Sequence, residues 1–126
     1  MYPPSLYFFM KTIIFDIDGT ITDMWPIEKT VLLSMLGEGY ANAVEKIHLS
    51  GVRDTYRIFL KLAQRSVGKN GYRRIYDKMV GVLEQKRKLP RPIRYPVTAW
   101  ILRNKNRYNF VYATGGSANE TVYVLK

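Results

Sequence analysis

The chain has 126 residues, 47% of them hydrophobic, with 20 Lys+Arg against 10 Asp+Glu and a formal net charge of +10. That length suggests one domain, or one domain carrying an insert, with enough apolar material for a core. It contains no cysteine, which excludes disulfides, thiolate zinc sites and a cysteine nucleophile. No apolar run approaches the roughly 18 residues of a membrane span, and a cytoplasmic location is the default expectation.

The opening "MYPPSLYFF", residues 1–9, is aromatic but lacks the basic lead and cleavage site of a signal peptide. It reads as an N-terminal extension, with Met10 as an alternative start. Lys11–Phe15, "KTIIF", is short, apolar and β-branched, as expected of a strand covered on both faces of a parallel sheet. Two acids follow, Asp16 and Asp18, and then a Gly19–Thr20 turn. Pro26 opens a helical stretch, "PIEKTVLLSMLGEG", stopped by Gly37 and Gly39. A short helix is expected over Ala41–Leu49, ended at Gly51. Val52, Tyr56, Phe59, Ala63 and Val67 share one helical face, and Gly68 to Gly71 break it. Tyr72, Ile75, Tyr76, Met79, Val80 and Leu83 line the next helix, whose far side is basic: Arg73, Arg74 and Lys78.

"KRKLPRPIRYP", residues 86–96, reads as a proline-rich linker. Pro96 to Lys105 is expected to be an amphipathic helix with Val97, Trp100 and Ile101 inward. Asn109–Thr114, "NFVYAT", is a second buried strand, and Gly115–Gly116 a sharp turn. Ser117 and Glu120 have the spacing of a capping box that opens a helix at Ala118. Charge follows this division: residues 24–95 hold 15 Lys+Arg and 6 Asp+Glu, the remainder 5 and 4. The excess is a solvated helical surface or a lure for anions.

Two parallel strands joined through helices form a right-handed crossover. The domain reading is therefore an extension (1–9), a partial α/β core (10–23 and 96–126) and an α-helical insert (24–95) that makes a separate lid.

The two acids carry the functional signal. Buried carboxylates are costly unless paired, hydrogen-bonded or bound to metal. Residues two apart on a strand point the same way, so Asp16 and Asp18 can face one site at the strand's carboxyl end, where open α/β sheets bind ligands. Such a pair suits a hard cation such as Mg²⁺. Carboxylates also act as nucleophiles in phosphoryl transfer and as proton donors and acceptors. Thr114, Gly115 and Gly116 add a hydroxyl and backbone N–H groups at a strand-to-helix turn, a ready anion site.

"FDIDGT" resembles the first motif, D-x-D-G-T, of the haloacid dehalogenase superfamily in its phosphatase branch, and "YATGG" resembles its second. The helical stretch between them looks like the cap that some members insert there. The resemblance implies a Rossmann-like parallel core with an inserted α-helical cap. It implies Asp16 as the nucleophile that becomes aspartyl-phosphate, and Asp18 as general acid/base with its backbone carbonyl on Mg²⁺. Asp16 and Asp18 would be the metal residues; Thr114 and the N–H of Gly115 would hold the phosphoryl group, and Thr20 would brace the loop. The superfamily's third motif, a lysine, and fourth, an acidic group, fall on later strands. Neither follows Thr114 here, and Lys126 comes too early for the lysine. The sequence thus reads as the front half of such an enzyme, inactive alone and prone to self-association through open sheet edges.

The expected activity is Mg²⁺-dependent hydrolysis of a small phosphorylated metabolite. The alternatives are a phosphotransferase or mutase of the same family, or a non-catalytic basic module binding anions or nucleic acid. Asp23 reads as a helix-side cap, His48 as a solvated or core residue, and Trp25 and Trp100 as packing. Tyr56, Tyr72 and Tyr76 beside basic helices invite a nucleic-acid reading. No nucleic-acid motif supports it, and tyrosines at helical spacing are usually core, so neither nucleic acid nor membrane is the expected partner.

Overall fold

Thr12–Asp16 forms strand β1 and Asn109–Ala113 forms strand β4, and the two pair in parallel. The computed structural model describes residues 10–116 and 118–125. Between these strands lie β2 (Thr22–Asp23), α1 (Trp25–Leu36), a 3₁₀ turn (Glu38–Tyr40), α2 (Ala41–Leu49), α3 (Thr55–Leu62), α4 (Lys69–Gln85), β3 (Ile93–Arg94) and α5 (Val97–Arg103). Helix α6 (Ala118–Leu125) follows β4. The chain is mixed α/β and its contacts divide it into two compact units.

The first unit comprises the chain through Met24 together with Pro92–Gly115. Thr12 pairs with Asn109, Ile14 with Val111 and Asp16 with Ala113. One face of this ladder carries aromatic side chains. Phe110 lies 6.0 Å from Phe15 and 6.1 Å from Trp100 of α5, and Ile101 of the same helix is buried. The opposite face holds the register partners Ile14 and Val111, which are 68% and 47% exposed. The expected strand covered on both faces is therefore corrected: among the described residues, β1 and β4 are covered on one. A hydrophobic run signals strand, but what lies over each face is set by other elements. Trp100, expected inward, is 38% exposed and stacks on Tyr108 at 5.8 Å.

Residues 86–96, read as a linker, contain β3, which pairs antiparallel with β2. A two-residue strand has no periodicity to detect. Asp23, read as a helix-side cap, lies in β2 opposite Ile93.

The second unit comprises Trp25–Arg91 and Gly116–Lys126 and is helical. Helix α1 packs on α2, α3 and α4, burying Ile27, Val31, Leu32 and Leu33. Side chains of this size contribute roughly 1.5–3 kcal/mol each when fully buried. Gly37 ends α1 as expected. Its φ of 111° suits glycine, and its N–H donates to the Leu33 carbonyl at 2.7 Å. Helix α2 has the expected bounds.

Helix α3 is shorter than its apolar face suggested. Asp54 caps it, accepting the Tyr56 N–H at 3.0 Å, and Ala63 ends it in extended backbone. Val67 was expected on the helix. It lies beyond the end, its carbonyl accepting the Tyr56 hydroxyl at 2.7 Å. Gly68, expected as a breaker with Gly71, is the N-cap of α4, while Gly71 lies inside that helix.

Helix α4 buries Tyr72, Tyr76, Val80 and Leu83, the expected face. It also holds α6. The Asp77 carboxylate accepts the Asn119 N–H at 2.9 Å, so an acid on a neighbouring helix satisfies a first-turn donor of α6. The proposed capping box falls partly on Ser117, which lies outside the described residues, as do Lys126 and residues 1–9. Its other member, Glu120, is 3% exposed and accepts the Tyr76 hydroxyl at 2.5 Å. Burial, followed by the charge and hydrogen bond of Glu120, pushes the Tyr76 hydroxyl well above the usual phenol range. Tyr76→Phe removes a hydrogen bond to a buried acid and should destabilise the chain by about 1.5–3 kcal/mol, measured by urea unfolding.

Candidate active site

Asp16, Asp18, Thr114 and Gly115 all belong to the first unit. Asp16 is the last residue of β1, exposed, and in register with Ala113, the last residue of β4. Thr114 and Gly115 follow Ala113 directly. A carboxylate therefore ends one strand where a hydroxyl and a glycine N–H follow the end of its parallel neighbour. The ladder continues one step, with the Ile17 N–H donating to the Ala113 carbonyl at 3.2 Å.

After Ile17 the chain turns sharply. The Ile17 carbonyl accepts from the N–H groups of Thr20, Ile21 and Thr22 at 3.3, 3.0 and 3.2 Å. Gly19 adopts φ of +78°, and its N–H donates to the Thr22 carbonyl at 2.8 Å. Glycine enters this left-handed region without the steric cost other residues bear, which explains Gly19. The Ile17 side chain is buried and anchors the turn. Asp18 thus lies beyond the strand, bridged to Thr22. The simple expectation of two side chains on one strand face does not apply as stated.

The two acids still interact. Asp18 is half-buried, and its carboxyl is held above the usual range, first by burial and then by the charge of Asp16. A carboxyl held above its usual range is one that general acid–base chemistry can use.

The loop has a second support that sequence reasoning missed. Tyr95 N–H donates to the Ile21 carbonyl at 2.8 Å, and the β2–β3 ribbon pairs the next two residues. Thr22 is 1% exposed. The β-branched pair Ile21–Thr22 was the available sign, but it is too short to distinguish from a turn. Thr20, expected to brace the loop, contributes its N–H to the turn. Thr114 and Gly115 are exposed, and a Cβ built on Gly115 meets nothing within 4 Å. Packing does not demand glycine at that position.

The donor set fits a hard divalent cation: carboxylate oxygens, close enough to repel, and open on the Asp16 side. Among the described residues no group of three or more His, Asp or Glu gathers. The protein would then supply one or two carboxylates, the number Mg²⁺ commonly takes when water and a phosphate complete its shell.

His48 and Trp25, also singled out from the sequence, lie in the helical unit. His48 stacks on Trp25 with ring centroids 3.5 Å apart, and Trp25 donates to Glu45 at 3.3 Å, which also pairs with Lys29 at 2.8 Å. Packing accounts for Trp25, as expected. A cleft of about 420 Å³ in that unit, with Met35, Tyr40, Phe59 and Arg65 among its walls, contains none of the predicted site residues.

Comparison with known proteins gave no matching family model, no matching curated protein and no matching solved structure.

The raised Asp18 carboxyl has a consequence for stability. The folded chain binds that proton more tightly than the unfolded chain does. Ionised Asp18 therefore costs stability at pH values above its folded pKa, and the cost vanishes as pH falls below about 3.9, the unfolded value. Asp18→Asn should be more stable than the parent at pH 7. The difference should shrink towards pH 4, as read from paired thermal melts.

Proposed function

We propose that the chain carries the catalytic strands of a Mg²⁺-dependent phosphatase of the haloacid dehalogenase type, acting on a small phosphorylated metabolite. In this reading β1 and β4 belong to a Rossmann-like core and the helices between β2 and β3 form a cap. The observation that carries it is the Asp16–Ala113 register, which sets an acid pair beside Thr114–Gly115 at neighbouring parallel strand ends. The sharp turn after Ile17 and the raised Asp18 carboxyl support it further.

Asp16 is the nucleophile. It is exposed and can approach a phosphorus atom, forming a P–O bond as the ester P–O bond breaks. Asp18, whose carboxyl is held above its usual range by its surroundings, gives its proton to the departing oxygen. It then takes a proton from the water that cleaves the aspartyl-phosphate, which restores Asp16 and releases inorganic phosphate. The Thr114 hydroxyl and the Gly115 N–H hold the phosphoryl oxygens, stabilising charge where it develops. Mg²⁺ held by the Asp16 carboxylate and the Asp18 backbone carbonyl would supply neutralising charge for the phosphoryl oxygens.

On the natural gene product, Asp16→Asn should abolish both turnover with p-nitrophenyl phosphate and acid-stable labelling of the protein by phosphate. A phosphoenzyme in that variant would refute the nucleophile assignment. Asp18→Asn should slow turnover by about 10²–10⁴. Its first step needs the proton on Asp18, so the parent rate should fall as pH rises through that group's raised pKa. The variant should lack this limb of the pH profile. Mg²⁺ binding by calorimetry should be weak and weaker still in Asp16→Asn; an unchanged titration would remove Asp16 from the metal site.

A further inference from the structure

Helix α4 presents an unusually uniform outer surface. Its exposed residues are Lys69, Asn70, Arg73, Arg74, Lys78 and Gln85, four cations and two amides with no acid and no apolar side chain. The turn that follows adds Lys86, Arg87 and Lys88, all exposed. The acids of this stretch, Asp77 and Glu84, are half-buried, and Asp77 is engaged with Asn119. None of the seven cations is paired with a carboxylate among the described residues. Like charges this close repel, and a polyanion relieves them.

Arg87 supplies a second, independent observation. It has φ of 55° and is the non-glycine residue with positive φ among those described. Around it the Lys88 N–H donates to the Leu83 carbonyl at 2.8 Å and the Arg87 N–H to the Glu84 carbonyl at 3.0 Å. This is the kind of helix end at which glycine is the favoured residue. A cation occupies a position where backbone conformation disfavours it. Strain of this kind points to a role beyond the fold.

The chemistry of the face selects its partner. With no exposed apolar side chain it offers nothing to insert into a bilayer. It also lacks a platform for unstacked bases. Tyr72 and Tyr76 are buried, their hydroxyls bonded to Thr55 and Glu120, and single-strand binding relies on exposed aromatic rings. Arginine forks, ammonium groups and amides suit phosphate oxygens.

We propose that the outer face of α4 and the turn after it, Lys69 to Lys88, dock a nucleic-acid duplex through its phosphates, without selecting base sequence. This is separate from the phosphoryl-transfer reading and stands or falls without it.

The test is fluorescence anisotropy with a labelled mixed-sequence duplex over a salt series. Each lost phosphate contact should make the log–log salt slope shallower by about 0.9. The triple variant Arg73→Glu, Arg74→Glu, Lys78→Glu should flatten the slope by two or more and weaken binding at least tenfold. The control Arg103→Glu, Lys105→Glu, Arg107→Glu makes the same change in net charge at exposed positions of the other unit and should do much less. Arg87→Gly should raise thermal stability while weakening binding. Equal losses in the two triple variants would overturn the proposal in favour of net charge alone. So would displacement of the duplex by anionic phosphatidylserine vesicles at matched charge, or tighter binding of the corresponding single strand.

Discussion

The parallel pairing of β1 with β4 is the constraint on which the rest depends. Adjacent parallel strands cannot be joined by a tight turn; the chain must leave the end of one and return to the start of the other. Here everything from Ile17 to Tyr108 makes that return. The pairing also brings the carboxyl ends of the two strands level. Asp16 meets Ala113, so the residues that follow each strand become neighbours although they are nearly one hundred positions apart in sequence. A slip of one residue would turn Asp16 to the other face of the ladder.

Backbone hydrogen bonds, more than side chains, shape the loop after β1. One carbonyl, that of Ile17, receives three N–H groups, and Gly19 closes the turn in a conformation that glycine adopts most readily. The geometry sets Asp18 where burial and the Asp16 charge both act on its carboxyl. Its protonation preference is therefore a product of the fold. A lone aspartate on a flexible loop would titrate normally.

The helical unit solves a different problem. Its core is aromatic and partly polar: Tyr72 and Tyr76 are buried with their hydroxyls committed, and Glu120 is buried with them. The Tyr76–Glu120 bond attaches α6 to α4, where the Asp77 carboxylate also accepts the first-turn Asn119 N–H, and the Tyr72–Thr55 bond ties α4 to α3. Asp77 is drawn into such a contact, Glu84 is half-buried, and the cations of α4 are left outside, which is why the outer surface is so uniformly positive.

Much of this was determined by local sequence. The bounds of α2, the stop of α1 at Gly37 and the buried stripe of α4 follow from apolar spacing of 3.6 and from glycine's access to positive φ, both short-range properties. Strand β1 and the glycine turn at Gly19 that follows it were equally legible, because strand and turn preferences act over a few residues. Tertiary structure decided the rest. Whether Ile14 and Val111 are covered depends on which helices pack against the sheet, and α5 covers the other face. The β2–β3 ribbon joins two-residue strands some seventy positions apart, too short for any periodic signal. Helix α3 ends at Ala63 although its apolar pattern continues to Val67, because the Tyr56 hydroxyl captures the Val67 carbonyl and the chain turns away. The elevated Asp18 carboxyl arises from burial and from a neighbour's charge, quantities that exist only once the chain has folded.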